Sequence, residues 1–208
     1  EGSGTDNYWI AQLYVVNAAT GAAKSIWKPP FQLAWPRWSP DGRSIAVIHG
    51  LMSDEGSNGG DVYLVPPGGG AARIVPATPN GSARSLHWRS DGTLVVDEYV
   101  DGTSRLVSVG AGGGPIAALT ASPQQYTAVS VARRSDAVSL VIQSFTEPPA
   151  VYAGVPGKWT RLTTAPTSVT PAWSEARSLH WKSSAPGGVV QGWLLCPSPI
   201  DASRKYPL

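Results

Sequence analysis

The sequence of 208 residues has little charge, a single cysteine and no long apolar run. Charged residues make up 14% of it, against roughly 25% in an average soluble domain. The lone Cys196 excludes a disulfide framework and a zinc site built from several cysteines. No apolar stretch approaches the ~20 residues of a membrane-spanning helix, so we expect no membrane partner. The first ten residues lack the features of a signal peptide, and the compartment stays undetermined.

Basic residues are also spread thinly along the chain. Sixteen Lys and Arg against fourteen Asp and Glu give a net charge of +2. A nucleic-acid-binding domain normally concentrates its basic residues on one face or in one stretch. We therefore expect no concentrated basic face and no nucleic-acid partner.

Aromatic and turn-forming residues are abundant instead. Nine Trp and seven Tyr supply large apolar side chains and argue against a disordered chain. Gly and Pro together account for 42 of the 208 residues and indicate frequent turns. No segment combines a sustained helical period with capping residues at its ends. These features predict an all-β fold.

A strand–turn–strand motif recurs every 45–50 residues. Its copies begin at Trp38 (WSPDGRSIAVI), Trp88 (WRSDGTLVV) and Arg133 (RRSDAVSLVI). The octapeptide ARSLHWRS at 83–90 returns as ARSLHWKS at 176–183, about two periods later. Asp-Gly between apolar strands is a strong hairpin signal, because Gly adopts positive φ without a Cβ clash. Repeats of this period are typical of β-propellers.

A second hairpin lies beside each motif, with glycines in its turn at 20–21, 68–70, 112–114 and 154–157. Two hairpins per period make a four-stranded antiparallel blade, and a radial array of blades is a propeller. A β-sandwich would not explain the fixed period. Residues 5–28 supply half a blade, and three further blades lie at 35–76, 84–120 and 126–164.

Three and a half blades are fewer than the four to eight of known propellers. The open strand edges would be an aggregation liability and a route to self-association. We therefore expect a partial propeller, either the terminal part of a longer one or one closed by a second chain. The predicted division places propeller blades at 1–170 and a last-blade strand and linker at 171–208.

The last thirty residues have a different pattern. A strand at 178–184 leads through the turn Ala185-Pro186-Gly187-Gly188 into VVQGWLL at 189–195, and the chain ends in RKYPL. This pattern resembles the junction between propeller and α/β-hydrolase domain in prolyl-oligopeptidase-family serine peptidases of the acylaminoacyl-peptidase-like branch. The Ser-Pro-Asp-Gly turn and Pro148-Pro149 before the last outer hairpin fit the same family. The family has Asp-Gly in the junction turn, where this chain has Pro-Gly-Gly.

The resemblance implies an extended C-terminal arm leading to an α/β-hydrolase domain, in the same or a second chain. It also implies a peptide substrate, with the propeller admitting only short peptides. The family's catalytic serine lies in G-x-S-x-G, which is absent from these 208 residues. We therefore assign no catalytic, cofactor or metal residue, and expect this chain to be inactive alone.

The alternative is a stand-alone interaction module resembling the Tol-system propellers. The tail distinguishes the two hypotheses. A tail that supplies missing blade strands would favour the module, and a tail that leaves the propeller as an arm would favour the peptidase.

Several residue types that often serve in catalysis have structural explanations here. His87 and His180 precede a Trp in two copies of the repeat, which predicts blade packing rather than metal binding. His49 is interpreted as a loop residue. The tryptophans at the repeat position are predicted to be core; they are Trp38, Trp88 and Trp181. Four tryptophans outside that register are pocket candidates, namely Trp9, Trp27, Trp35 and Trp173.

The acidic residues divide into two groups. Asp41, Asp91 and Asp136 occupy predicted turns, which explains them without catalysis. The second group is Asp97, Glu98 and Asp101, for which a solvated strand end is favoured over a site for a substrate amine. The insertion 51–60 is the first candidate for a substrate-facing or partner-facing loop. The triplets 68–70 and 112–114 lack the Lys-Ser/Thr of a phosphate loop, and Cys196 is interpreted as an inert thiol.

Overall fold

The computed structural model describes residues 11–51, 59–76, 81–120, 124–164, 171–201 and 203–206. Within these ranges the chain forms sixteen β-strands, all paired antiparallel, and no helix. The described part accordingly offers no helix of the length and apolarity that crossing a bilayer would require.

The first sheet has two strands, β1 (Leu13–Val16) and β2 (Ala23–Trp27), and we call it blade 1. Its turn is held by the Asn17 side chain, whose Oδ1 accepts hydrogen bonds from the N–H groups of Ala19 and Thr20. This sheet is the predicted half blade.

Three four-stranded sheets follow, and in each the strand order equals the chain order. Blade 2 consists of β3 (Gln32–Trp38), β4 (Ile45–Gly50), β5 (Asp61–Val65) and β6 (Arg73–Ile74). Blade 3 consists of β7 (Ser82–Trp88), β8 (Thr93–Val100), β9 (Thr103–Gly110) and β10 (Ala117–Ala118). Blade 4 consists of β11 (Gln125–Val131), β12 (Val138–Gln143), β13 (Ala150–Val155) and β14 (Lys158–Arg161).

The blades pack face to face, because successive side chains of a strand point to opposite faces of its sheet. In β4, Ile45 and Val47 pack against blade 1, whereas Ala46 and Ile48 pack against blade 3. A third apolar cluster joins Leu106 of blade 3 to blade 4. Burying each large aliphatic side chain stabilises the fold by about 1.5–3 kcal/mol. The predicted all-β partial propeller of about three and a half blades is confirmed.

The first strands of the blades, β3, β7 and β11, form the inner rim. Each lies at one end of its sheet order, and β7 contacts both β3 and β11. The register of all three strands is shifted by a bulge. Trp35 and Ala128 lie in two of these bulges with φ of 55° and 50°, and a bulge bends and twists its strand.

Antiparallel pairing gives the propeller two sides. The turns between the first and second strands, at 39–44, 89–92 and 132–137, lie on the side we call the turn side. The turns between the second and third strands, including Asp101-Gly102 and 144–149, lie on the opposite side, together with the connections from one blade to the next. We call this the linker side.

The C-terminal hairpin pairs β15 (Trp173–Lys182) with β16 (Val189–Pro197). Its predicted turn forms, with Gly188 N–H donating to the Ala185 carbonyl at 3.1 Å and Gly187 at φ 73°. The hairpin adds to none of the blades. The expected arm is thus a two-stranded hairpin rather than a single extended segment, because its two halves pair along their length.

Candidate functional site

A concave site opens on the turn side of the inner rim, with a volume of about 500 Å³. We call it the rim cavity. The ends of β3, β7 and β11 supply its walls, so each of the blades 2, 3 and 4 contributes. The lining residues are Arg37, Trp38, Pro40, His87, Trp88, Arg89, Ser90, Val131, Arg133 and Arg134.

Four arginines make the rim cavity positively charged. Among the described residues, the one carboxylate within 4 Å of these arginines is that of Asp136, whose Oδ1 lies 3.9 Å from Arg89 Nε. Asp41 and Asp91 lie in the adjacent turns, but Ser39 Oγ donates to Asp41 at 2.6 Å and Thr93 Oγ1 donates to Asp91 at 2.7 Å. The Ser39 hydrogen bond lowers the pKa of Asp41, and the Thr93 N–H bond to Asp91 Oδ1 at 2.9 Å, together with the Thr93 hydroxyl bond, lowers the pKa of Asp91. These bonds fix the carboxylate oxygens within the turns.

This concentration of positive charge was not predicted, because composition averages over the whole chain. The arginines are distant in sequence, and the three copies of the repeat bring them together. The expectation of no concentrated basic face is therefore wrong at the rim cavity. Arg89 and Arg134 occupy the same position in their copies of the motif, directly before Ser-Asp, so an alignment of the copies would have indicated that these two arginines lie close together.

Two residues that line the rim cavity, His87 and Arg89, each have a buried side-chain nitrogen without a hydrogen-bond partner among the described residues, Nε2 and Nε respectively. Burial, reinforced by the nearby Arg37 guanidinium, holds the pKa of His87 below its usual value. His87 is therefore a neutral imidazole at pH 7. Its ring packs edge-on against Trp35 of blade 2 at 5.7 Å, as the blade-packing role predicts.

The tryptophans of the repeat are not uniformly core. Trp88 is half-buried, and its indole N–H donates to the Arg37 carbonyl at 3.0 Å, which ties blade 3 to blade 2. Trp38 is 52% exposed, because the described part of blade 1 has no first strand to receive it. Trp181 is also 52% exposed, since its copy of the repeat lies in the C-terminal hairpin. The core interpretation is wrong for Trp38 and Trp181.

A second candidate site is the contact between the C-terminal hairpin and the linker side. Trp193 Nε1 donates to the Gly102 carbonyl at 3.0 Å, and the Trp193 ring lies 5.0 Å from that of Phe145 in blade 4. Trp173 Nε1 donates to the Phe145 carbonyl at 2.8 Å. His180 Nε2 lies 2.5 Å from Asp101 Oδ1. The predicted blade-packing role of His180 is wrong, because it contacts a turn from outside the blades.

The C-terminal hairpin exposes apolar side chains on both of its faces. The exposed apolar side chains on its strands are Leu179, Trp181, Val189, Val190 and Leu195. Ile200 and Tyr206, which follow the hairpin, are exposed as well. Leu179, Trp181 and Val190 lie together on the face opposite Trp193, and exposed apolar side chains gathered on one face are typical of an interaction site.

Asp97 and Glu98 are buried inside blade 3, each 2% exposed, so a solvated strand end is wrong for them. Arg84 donates to Asp97 Oδ2 from Nη2 at 2.6 Å, and Arg105 Nε donates to Glu98 Oε1 at 2.7 Å. Burial nevertheless raises the pKa of Asp97, and Arg84 offsets only part of that effect. The turn at 101–102 fixes the register of β8 and β9 so that Glu98 lies directly opposite Arg105. Counting residues back from this turn in the sequence would have indicated the pair. Asp101 itself is exposed.

The remaining candidates are structural or lie outside the described residues. His49 belongs to β4 rather than to a loop, and its ring lies 5.2 Å from both Trp27 and Tyr63. Cys196 is buried in the C-terminal hairpin. Asp136 lies in the predicted turn and is exposed. Trp9 and positions 52–58 of the insertion lie outside the described residues.

The sequence matches no protein-family model. The uncharacterized peptidase YuxL of Bacillus subtilis is 38% identical over 61 residues, which is 29% of this chain and 8% of that protein. The acylaminoacyl peptidase of Pyrococcus horikoshii superposes with a TM-score of 0.63 at 14% identity, covering 90% of this chain and 28% of that one. A TolB-type protein of Agrobacterium tumefaciens superposes at 0.52 with 19% identity, covering 72% of this chain and 52% of that one.

The chain thus spans about half of the TolB-type chain and less than a third of the peptidase chain. The predicted resemblance to acylaminoacyl-peptidase-like proteins is confirmed at the level of the fold. Both superpositions are below 25% identity, so activity does not follow from them.

Proposed function

We propose that this chain is the non-catalytic propeller part of a serine peptidase of the oligopeptidase or acylaminoacyl-peptidase-like type. In this proposal the linker side faces an α/β-hydrolase domain that carries the catalytic residues. Residues 1–170 then serve as the propeller, and residues 171–208 as the junction.

The observation that carries the proposal is the C-terminal hairpin. It adds no strand to a blade, and it is anchored to blades 3 and 4 through Trp173 and Trp193. Its opposite face exposes apolar side chains, including Leu179 and Trp181. A propeller that only binds partners needs no such appendage, whereas a domain docked on the linker side would bury this surface.

The role of the propeller in the proposal is to restrict access. With the linker side covered, a substrate reaches the catalytic domain through the centre of the propeller from the turn side. Short or unfolded peptides pass, and folded proteins are excluded by size. Such selectivity needs a narrow passage and a stable domain interface, and no reactive group in the blades.

The intact mass of the native protein, together with its complete reading frame, tests the catalytic part of the proposal. We expect a mass well above 21.8 kDa, or a tightly associated second chain, with a G-x-S-x-G elbow in the additional sequence. A native mass of 21.8 kDa with no such partner would leave the stand-alone interaction module as the better account.

The gating part has a separate test. A peptidase gated by a propeller hydrolyses short peptides and leaves a folded protein with the same cleavage sequence in a surface loop intact. Equal rates on the two substrates would refute gating while leaving the peptidase assignment in place.

A further inference from the structure

We infer that the rim cavity is a binding site for carboxylate groups of an extended peptide, so that the propeller selects acidic peptides. This inference deepens the proposed function, because it names the class of peptide that enters from the turn side. It depends on the geometry of the rim cavity and on none of the contacts of the C-terminal hairpin.

The positive charge of the rim cavity is largely uncompensated. Arg133 and Arg134 are exposed at the edge of the rim cavity, and neither has a hydrogen-bond or ion-pair partner among the described residues. Arg37 lies 4.9 Å above the Trp35 ring and bonds only a neighbouring backbone carbonyl. Arg89 has Asp136 at 3.9 Å, which is beyond hydrogen-bond distance. Like charges gathered in one concavity are stabilised when an anion joins them.

Two residues that line the rim cavity also have buried nitrogens without partners. His87 Nε2 and Arg89 Nε have no hydrogen-bond partner among the described residues, and a buried polar atom without one costs free energy until a ligand or water satisfies it. Guanidinium groups bind carboxylates through two parallel hydrogen bonds, which suits the exposed arginines at the mouth. Carboxylate oxygens therefore match both the charge and the hydrogen-bonding capacity of the site.

The inner rim also has strand edges that can bind the backbone of a peptide. The strands β3, β7 and β11 are the end strands of their sheets, so one edge of each faces the centre without a paired strand. An extended peptide can add to such an edge through its own N–H and C=O groups, which a nucleic acid cannot do. A volume of about 500 Å³ fits a few residues of peptide and lies within the usual range of small-ligand sites. These features favour an acidic peptide over an oligonucleotide.

Fluorescence anisotropy with the purified full chain tests the inference. The probe is a short fluorescein-labelled peptide of alternating Glu and Ala with an amidated C-terminus. In one comparison probe, every Glu is replaced by Gln. In a second, this Gln peptide has a free C-terminal carboxylate. The comparison distinguishes binding of side-chain carboxylates from binding of the terminal carboxylate. A single-stranded oligonucleotide of similar length competes in a further arm. The variant is R133A/R134A, and the matched control R43A/K158A removes two exposed cations outside the rim cavity.

We expect at least one carboxylate-bearing probe to bind, and the neutral peptide to bind at least about tenfold more weakly, because hydrogen bonds between charged groups are lost. R133A/R134A should weaken binding by about tenfold or more, and R43A/K158A should change it little. Equal binding of the charged and neutral peptides, or equal effects of the two double variants, overturns the inference. Tighter binding of the oligonucleotide overturns it in favour of nucleic acid.

The inference and the proposed function fail separately. If the anisotropy experiment finds no preference for acidic peptides, the intact-mass measurement still tests the peptidase assignment. Conversely, if the native protein has no hydrolase domain, the peptide-binding experiment can still be carried out on the same chain and gives its own result.

Discussion

The ion pair of Arg84 and Asp97 in blade 3 makes the sharpest energetic prediction. Asp97 is 2% exposed and Arg84 is 19% exposed, so both charges are largely removed from water. Arg84 also donates from Nη1 to the Tyr99 hydroxyl at 2.7 Å and from Nη2 to the Tyr126 carbonyl in blade 4. Asp97→Ala would leave the Arg84 guanidinium without its counter-charge. Breaking a buried pair in this way costs about 3–5 kcal/mol, and the partial exposure of Arg84 places the expected loss near ~3 kcal/mol.

Urea unfolding followed by tryptophan fluorescence measures this loss in a double-mutant cycle. Arg84→Ala should cost at least as much as Asp97→Ala, because it removes the contacts to Tyr99 and Tyr126 too. The double variant should lose at least about 1 kcal/mol less stability than the sum of the two single losses, since the groups interact directly. The matched control is the exposed pair Glu175 and Arg177, with each side chain 50% exposed, whose removal should have little effect on the urea midpoint.

Additive losses in the cycle would refute the reasoning. A neutral or stabilising Asp97→Ala would refute it as well.

Three further predictions concern the C-terminal hairpin and the buried histidines. Gly102 has φ 68°, and an added Cβ would lie 2.1 Å from Gln191 Oε1. Gly102→Ala should therefore speed hydrogen exchange of the backbone amides in 189–197. The control Gly92→Ala should not, because Gly92 has φ 82° but open space around the added Cβ. Burial lowers the pKa of His49 and His87 in the folded protein, so the unfolded chain binds protons more readily below the ordinary value of 6.5. The free energy of unfolding should then fall as pH drops below 6.5, with a smaller fall in His87→Phe; a pH-independent urea midpoint would contradict this. The buried Cys196 should react with a thiol reagent only after the hairpin opens, and labelling at equal rates in native and urea-unfolded protein would show otherwise.

The parts of the fold that depend on local chemistry were predictable from the sequence. Asp41-Gly42 and Asp91-Gly92 form the expected turns, with Gly42 and Gly92 at φ 70° and 82°. Alternation of side chains in a strand such as VSLVIQ gives alternate burial in β12. Two-residue turns and period-two patterning act over a few residues, so they are visible without tertiary structure.

The site depends on contacts between blades, and these were not visible in the same way. Trp88 and Trp38 occupy the same repeat position, yet within the described residues only Trp88 has a first strand in the preceding blade to which its indole can donate. The rim cavity exists because three copies of the motif converge on one axis. Asp97 is buried because Arg84, which lies in the bulge of β7, reaches it across the sheet. The burial and charge around these residues depend on the neighbouring blades and on the bulges. Neither is visible in the composition of the chain.

The central claim is that this propeller serves a serine peptidase, and labelling of the native protein with a fluorophosphonate probe tests it most directly. The probe reacts with the activated serine of a hydrolase. The account predicts a labelled protein that contains this sequence or co-purifies with it in fixed stoichiometry, and no labelling of the 208-residue chain alone. Native protein that stays unlabelled, while a known serine peptidase in the same sample is labelled, would contradict the account.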